Sequence, residues 1–394
     1  MKAAGETRSH GAARRVVRLA RPADDEALRG LLAARPMEGS ILLAMEREPS
    51  YFVSLDLEAE RHTTVVVEAD PEDACPPHSP REDGGGAIFA MGARLVHRVA
   101  LAGESALLGY LSHLRLAPGA PFSLRGMREA WACLLDERGE GELPFDLTSI
   151  ASGNEPARRL LERGLPGMPR YHPVGEYEVQ ALPTVPRGRE VPGVRVELAE
   201  GGGGGPGTAA SGGEVAGGDG EAPAAALVLR GRGAGPSTVD PSFQVTAWAG
   251  GEPVAGFSVV DPTPWRQYVV RGYQGALAWG RPLANLALHF QGAPLLPPPG
   301  GRLRSGFITG FWCRQGQERA LPSLVRAAAA EAGRKGLASL LHGAMAEDPQ
   351  GEILASGYRP RRYRSTLYLV ARAEPTGALE ALRRGPIHID PIVL

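Results

Sequence analysis

The sequence predicts an α/β fold built from two successive units, on three observations. The stretch from Ser105 to Arg138 reads as an apolar β-compatible run, a turn-rich loop with Pro118, Gly119 and Pro121, and a helix with Met127, Ala130, Trp131, Leu134 and Leu135 on one face. The C-terminal part, from Ser305 to Val370, gives the order strand, helix, strand, helix, strand. A chain of 394 residues is long enough for a core in each unit. Direct identity between the halves is too low to show a repeat, so the expectation of two units rests on element order.

Taken in order, Val16 to Leu19 reads as a strand and Arg21 to Asp25 as a turn into a helix whose Ala27, Leu28, Leu31 and Leu32 share a face. Asp24, Asp25 and Glu26 suit the positive N-terminal end of that helix. Thr63 to Glu68 and Ala87 to Val99 are strands flanking an exposed polar loop, Asp70 to Gly86. Ser105 to Leu116 is the next strand, followed by the loop and a helix ending near Arg138. Pro144 to Ile150 is a strand, Ser152 to Gly164 a helix with Pro156 in its first turn, and Val174 to Leu182 the closing strand of the first unit. The second unit opens at Val194 to Leu198, and Phe243 to Trp248 with Val254 to Val260 make a hairpin about Gly250 and Gly251. Trp265 to Gly300 reads as a buried segment or a groove. Ser305 to Trp312, Leu321 to Arg334, Leu337 to His342, Pro349 to Ser356 and Tyr363 to Val370 complete the unit. The expected organisation is a disordered lead-in at 1–13, a first domain at 14–182, a linker at 183–193 and a second domain at 194–394. Eleven of the twenty residues from Gly201 to Gly220 are glycine, so 200–223 is read as a flexible insertion.

Composition narrows the function. Forty-three basic and forty-four acidic residues give a net charge of −1, so no global field draws nucleic acid or anionic lipid. No apolar run approaches the ~20 residues of a membrane span. Cys75, Cys133 and Cys313 are odd in number and far apart, which suits neither a disulfide framework nor zinc and fits a reducing cytosol. His62, His97, His172, His289 and His342 have no metal-ligand spacing, and no metal is expected. A loop feeding a helix N-terminus, as at Arg125 and Gly126, presents backbone N–H groups and a positive dipole end to an anion such as a pyrophosphate.

The strand, LRLAP, basic loop with glycine and helix resemble the acyl-CoA-binding motif of the GNAT superfamily of N-acyltransferases. That family carries a pattern like L-x-V-x-P followed by Q/R-x-x-G-x-G/A. Leu114, Leu116 and Pro118 match the first part. For the second, one register makes Gly126 the first glycine, with Ser123 leading and Arg128 at the small position. The other keeps Arg125 and Ala130 as ends and puts Arg128 at the central glycine. The family's N-x-x-A-x-x-L-Y is similar to Asn154, Ala157 and Leu160, with Leu161 in place of the Tyr that often protonates the leaving thiolate. The resemblance implies two GNAT-like domains, each a mixed, mostly antiparallel sheet flanked by helices, with acetyl-CoA as co-substrate. Its cofactor positions fall on Leu114, Arg115, Leu116, Arg125, Gly126, Met127, Arg128 and Asn154. It also implies that the strand splays from its neighbour to admit the coenzyme, that VRLARPADDEALRGLL opens the fold, and that Pro36 to Phe52 lies on the acceptor side.

His113 sits where several members of that family place a Glu or His that takes the amine proton. An ordinary imidazole titrates near ~6.5 and is largely neutral at pH 7, able to accept that proton. Tyr110 and Tyr171 are the other phenols considered as acids. The implied activity is transfer of an acetyl group to a primary amine of a small molecule or peptide, in the cytoplasm, without nucleic acid or membrane as partner. One alternative is a degenerate GNAT protein that binds acyl-CoA or serves as a regulatory module. Another uses aminoacyl-tRNA as donor, which the absence of basic excess opposes.

Overall fold

The structure is a computed structural model, which describes residues 15–37, 39–69, 86–120, 123–201, 227–230 and 242–394. The expected lead-in at 1–13, the loop at 70–85 and most of the insertion at 200–223 lie outside the described residues. The first run of elements is β1 (Arg15–Leu19), α1 (Asp25–Ala33), β2 (Ile41–Glu46), α2 (Tyr51–Glu58), β3 (Arg61–Ala69), β4 (Ile88–Leu101), β5 (Glu104–Leu116), α3 (Leu124–Asp136), β6 (Glu142–Ala151), α4 (Glu155–Glu162) and β7 (Arg170–Pro183). The second is β8 (Val194–Glu200), β9 (Leu227–Leu229), β10 (Phe243–Ala249), β11 (Glu252–Val260), β12 (Gln267–Tyr273), α5 (Ala276–Phe290), β13 (Ser305–Cys313), α6 (Leu321–Arg334), β14 (Ser339–Met345), α7 (Pro349–Leu354), β15 (Arg361–Ala371), α8 (Thr376–Arg384) and β16 (Ile387–Ile389).

The main sheet runs β1-β3-β4-β5-β6-β15-β7-β14-β13-β11-β10-β8. Its neighbours pair antiparallel except β5 with β6 and β13 with β14, which are parallel. Read inward from either edge, the order is the same: β1-β3-β4-β5-β6 then β15, and β8-β10-β11-β13-β14 then β7. β7 of the first unit and β15 of the second therefore each lie against the other unit. β7 pairs β14 along Tyr177 to Pro183, and β15 pairs β6 from Asp146 to Ala151. Alternation in Val174 to Leu182 identifies a strand and its faces but not its neighbour. The strand expected to close the first unit thus stands between strands of the second. A separate pair, β2 with β12, ties the two runs together again.

Each face of the first unit is set by strand alternation. On β4, Met91, Ala93 and Leu95 pack with Leu28, Leu31 and Leu32 of α1 and Tyr51 and Leu55 of α2. The other face carries Val65 and Leu111, covered by Trp131 and Leu134 of α3 and Leu161 of α4. Burying each such side chain is worth about 1.5–3 kcal/mol. In the second unit α6 covers Val245, Val259, Ile308 and Leu340 with Leu324, Val325, Ala328 and Ala329. The expected buried segment after Trp265 is only partly so: Trp265, Val269 and Val270 are buried, but α5 has no buried residue.

Candidate active site

β5 and β6 pair at Leu107 with Glu142 and, past a register shift, at Gly109 with Asp146 and Tyr110 with Leu147, and then part. Past the Tyr110–Leu147 pair, side chains bridge the two strands: the Thr148 hydroxyl donates to the Leu111 carbonyl at 2.8 Å, and the Tyr110 hydroxyl meets Ser149, 2.7 Å from Oγ and 3.1 Å from N. From Ser112 to Leu116 the edge of β5 away from β4 has no strand beside it among the described residues. The expected splay is present. Just below the parting, Arg94 of β4 reaches past β5 to Asp146 of β6, Nε to Oδ1 at 2.9 Å. Gly109 makes room for this, since a Cβ there would run into the Asp146 carboxylate and the Arg94 guanidinium. Burial raises the Asp146 carboxyl above its ordinary range despite Arg94 and Arg138.

The open half of β5 carries a bulge. Met91 faces Arg115 and Ala93 faces Ser112, so His113 and Leu114 together oppose Gly92. His113 holds φ at 54°, a left-handed conformation that L side chains adopt at a cost of about 1–2 kcal/mol. The bulge turns the imidazole toward α2, where it is 7% exposed. The Arg47 guanidinium lies 3.0 Å from His113 Nε2, and the Tyr51 hydroxyl 3.2 Å from Nδ1. Because a guanidinium only donates, Nε2 is the acceptor and Nδ1 carries the hydrogen given to Tyr51. The Tyr51 hydroxyl is then the donor to Thr64 Oγ1 at 3.0 Å. Burial, with Arg47 and Arg115 nearby, holds the His113 pKa well below 6.5. The imidazole is neutral, but its lone pair is taken by Arg47, so accepting an amine proton requires Arg47 to move.

Arg47, Tyr51, Glu58, Trp265 and Arg266 were not legible as a site in the sequence; Arg47 and Tyr51 touch His113, and Glu58, Trp265 and Arg266 are linked to it through Arg47. Arg47 Nη2 donates to Glu58 Oε2 at 2.8 Å, Trp265 Nε1 donates to Glu58 Oε1 at 3.0 Å, and Arg266 Nε lies 3.2 Å from the same oxygen. Burial works to raise the Glu58 carboxyl, but Arg266 and Arg47 outweigh it and hold it low. Tyr51 is placed by the start of α2: Ser50 caps that helix, and Asp25 of α1 accepts from Ser50 Oγ at 2.7 Å and from Tyr51 N at 2.8 Å. The Pro36 to Phe52 segment, expected on the acceptor side, thus supplies two partners of His113.

The other predicted positions divide. Leu114 is exposed, Leu116 is half-buried, and Arg115 folds back so that Nη1 donates to the Leu114 carbonyl at 3.0 Å. Gly126 is buried in the first turn of α3, where its N–H donates to Ser123 Oγ at 3.2 Å. Arg125 is exposed and paired with Glu129 at 2.8 Å, away from the helix end. Met127 packs beside Trp131, and Arg128 lies against Gly167 with its buried Nε unpartnered. Asn154 caps α4, accepting from Ala157 N at 3.4 Å. Leu161, in the place of the family's tyrosine, is core beside Trp131, Tyr171 and Tyr368. Tyr110 is buried with its hydroxyl 2.7 Å from Ser149 Oγ, across the parting strands, and burial pushes it up to about 12. The residues fit an acyl-CoA through backbone, the free edge of β5 and a first turn of α3 without an acidic residue. Arg125 and Asn154 are engaged elsewhere.

The second unit repeats the geometry and closes it. β13 and β14 pair from Ser305 to Phe307 and then part, and β13 bulges at Gly310 with φ of 60°. There Gly310 N donates to both oxygens of Asp390, at 3.1 and 3.3 Å. In the following loop Gly316 N donates to Glu318 Oε1 at 3.0 Å. Carboxylates of the chain itself thus accept from the amides at this bulge and in this loop.

Element order, the two parted parallel pairs and their bulges define a tandem GNAT-type fold, the class the motif resemblance implied. No protein-family model matches the chain, and no curated protein matches it significantly. Solved structures similar to it include a tandem GNAT protein from the clavulanic acid biosynthesis pathway, at 13% identity and TM-score 0.49 over 92% of this chain and 100% of that one. An N-myristoyltransferase of Saccharomyces cerevisiae with bound myristoyl-CoA is similar at 9% identity and TM-score 0.49, over 94% and 82%. A probable N-acyltransferase of Enterococcus faecalis is similar at 9% identity and TM-score 0.42, over 94% and 74%. At these values the likenesses say nothing of what this chain binds or acts on.

Proposed function

We propose that this protein is an N-acyltransferase that moves an acetyl group from acetyl-CoA to a primary amine of a small molecule or peptide, using the first cleft. The observation that carries this reading is the parting of β5 from β6 beyond Tyr110, beside a bulge that sets His113 on the α2 side. In this reading the free edge of Ser112 to Leu116 and the first turn of α3 hold the coenzyme, with Gly126, Met127 and Arg128 at the diphosphate end. The thioester supplies an activated acyl carbon, so that a C–N bond forms as the C–S bond breaks. His113 takes the amine proton once Arg47 is displaced from Nε2, and Arg47 and Tyr51 hold the ring until then. In this reading Tyr110, the last residue paired with β6, returns a proton to sulfur once its hydroxyl is released from Ser149. The spread of the three cysteines suits work in the cytoplasm.

A second reading is a degenerate member that binds acyl-CoA without turnover, or binds nothing. It is favoured by the apolar packing of Leu111 and Ile150, one from each parted strand, with Trp131, Leu161 and Tyr171. A thermal-shift series with acetyl-CoA and longer acyl-CoAs separates the two. Ligand at 100-fold over Kd stabilises by ~2.7 kcal/mol and raises Tm visibly. No shift with any acyl-CoA ends both the transferase reading and the acyl-CoA-binding form of its rival. A shift without thiol release in the presence of an amine panel favours the degenerate form.

A further inference from the structure

We infer that α5 is the contact through which two copies of this chain pair about a two-fold axis. α5 is built the wrong way round for a surface helix. Its polar Asn285 faces inward, donating to the Leu296 carbonyl at 3.0 Å and accepting from Leu296 N at 2.8 Å. Its apolar stripe faces out, with Trp279 89%, Leu283 74%, Leu286 52% and Phe290 80% exposed. A run of this kind marks an interaction surface rather than scattered surface apolarity.

The spacing names the occupant. Trp279, Leu283, Leu286 and Phe290 are separated by four, three and four residues, a pattern that reads the same in both directions. An antiparallel copy centred between Leu283 and Leu286 sets Trp279 on the partner's Phe290 and Leu283 on the partner's Leu286, and the reverse contacts follow by symmetry. That self-complementarity is what an isologous interface requires. Charge agrees: the one Lys, Arg, Asp or Glu of α5 is Arg281, which is turned inward to the Leu296 carbonyl at 3.3 Å and the Tyr273 ring. Two neutral faces meet without repulsion, whereas a helix lying on an anionic bilayer carries Lys and Arg along its polar side. Four aromatic rings at about 150 Å² or more each, with four leucines beside them, bring the pair to the order of 1,000 Å², the lower range of a specific interface.

Sedimentation of the full chain across a concentration series tests this, beside the Trp279→Ser/Phe290→Ser variant and a vesicle co-flotation arm with phosphatidylcholine and phosphatidylserine. The expected result is a dimer mass for the wild type, half that mass for the variant, and no flotation. Since α5 contributes no buried residue, the variant keeps its circular dichroism and melting temperature. Hydrogen exchange on the wild type gives a second readout: α5 amides gain protection as concentration rises. A monomeric wild type, a variant that still pairs, α5 exchange independent of concentration, or flotation that the double substitution abolishes would each overturn the inference.

Discussion

His113 holds a strained backbone angle where the matching position of the second unit, Gly310, has a glycine that adopts it freely. Its strain is offset by two hydrogen bonds and by burial, so the ring is fixed rather than mobile. The sign of its effect on stability follows. Folded His113 stays neutral well below pH 6.5, while the unfolded residue takes up a proton, so stability falls as pH drops below about 6.5. His342, pushed down to about 4 by burial, adds a loss of the same sign between about 6.5 and 4. His113→Asn keeps a residue tolerant of positive φ and able to hydrogen-bond, but does not titrate. The shorter side chain cannot span Arg47 and Tyr51, so the variant is less stable at both pH values, but urea unfolding at pH 7 and pH 5 is expected to show a smaller acid loss in it than in the wild type. An unchanged acid loss would mean that the imidazole is accessible in the folded protein. The histidine itself was legible from its place before Leu114 to Leu116. Its surroundings were not, because Arg47 and Tyr51 lie in a segment of irregular pattern and Trp265 stands 207 residues beyond Glu58.

At the scale of elements, the parallel pair is held and then released within a few residues. Arg94 of β4 and Asp146 of β6, 1% and 0% exposed, clamp the sheet across β5 at Gly109, one residue before β5 and β6 part. Breaking a buried pair costs about 3–5 kcal/mol. Gly109→Ala forces the bridge open and is expected to lower stability by about that amount in urea unfolding, whereas Gly103→Ala, in the two-residue turn between β4 and β5, costs about 1 kcal/mol through its left-handed φ alone. Equal costs at the two glycines would remove the clamp from the account. Most strands and helices could be placed from alternation and helical spacing, because burial on one face leaves that trace. β2, α2, β9, β12, α5, α8 and β16 could not: β2 and β12 pair with each other away from the main sheet, α5 buries no residue, and β9 and β16 are three residues each, so these leave no regular one-faced pattern.

For the whole molecule, the exchange of β7 and β15 makes the two units one folding body. Each half alone lacks the strand that pairs with its β6 or β14, leaving that strand as an open edge. A fragment ending in the 183–193 linker is expected to be unfolded or aggregated, and the two fragments expressed together to recover a cooperative transition near that of the intact chain. Independent folding of 15–190 would contradict the interlock. The exchange was not legible because a sequence records what each side chain faces, not which strand donates the neighbouring hydrogen bonds. The same symmetry separates the clefts, since Asp390 and Glu318 occupy the second while the first keeps its edge.

Hydrogen exchange with and without acetyl-CoA tests the central claim most directly, because it reads the amides of the open edge one segment at a time. The account predicts slowed exchange for Leu111 to Leu116 and the first turn of α3, with Thr309 to Cys313 unchanged. Protection confined to the second cleft, or none in either, would contradict it.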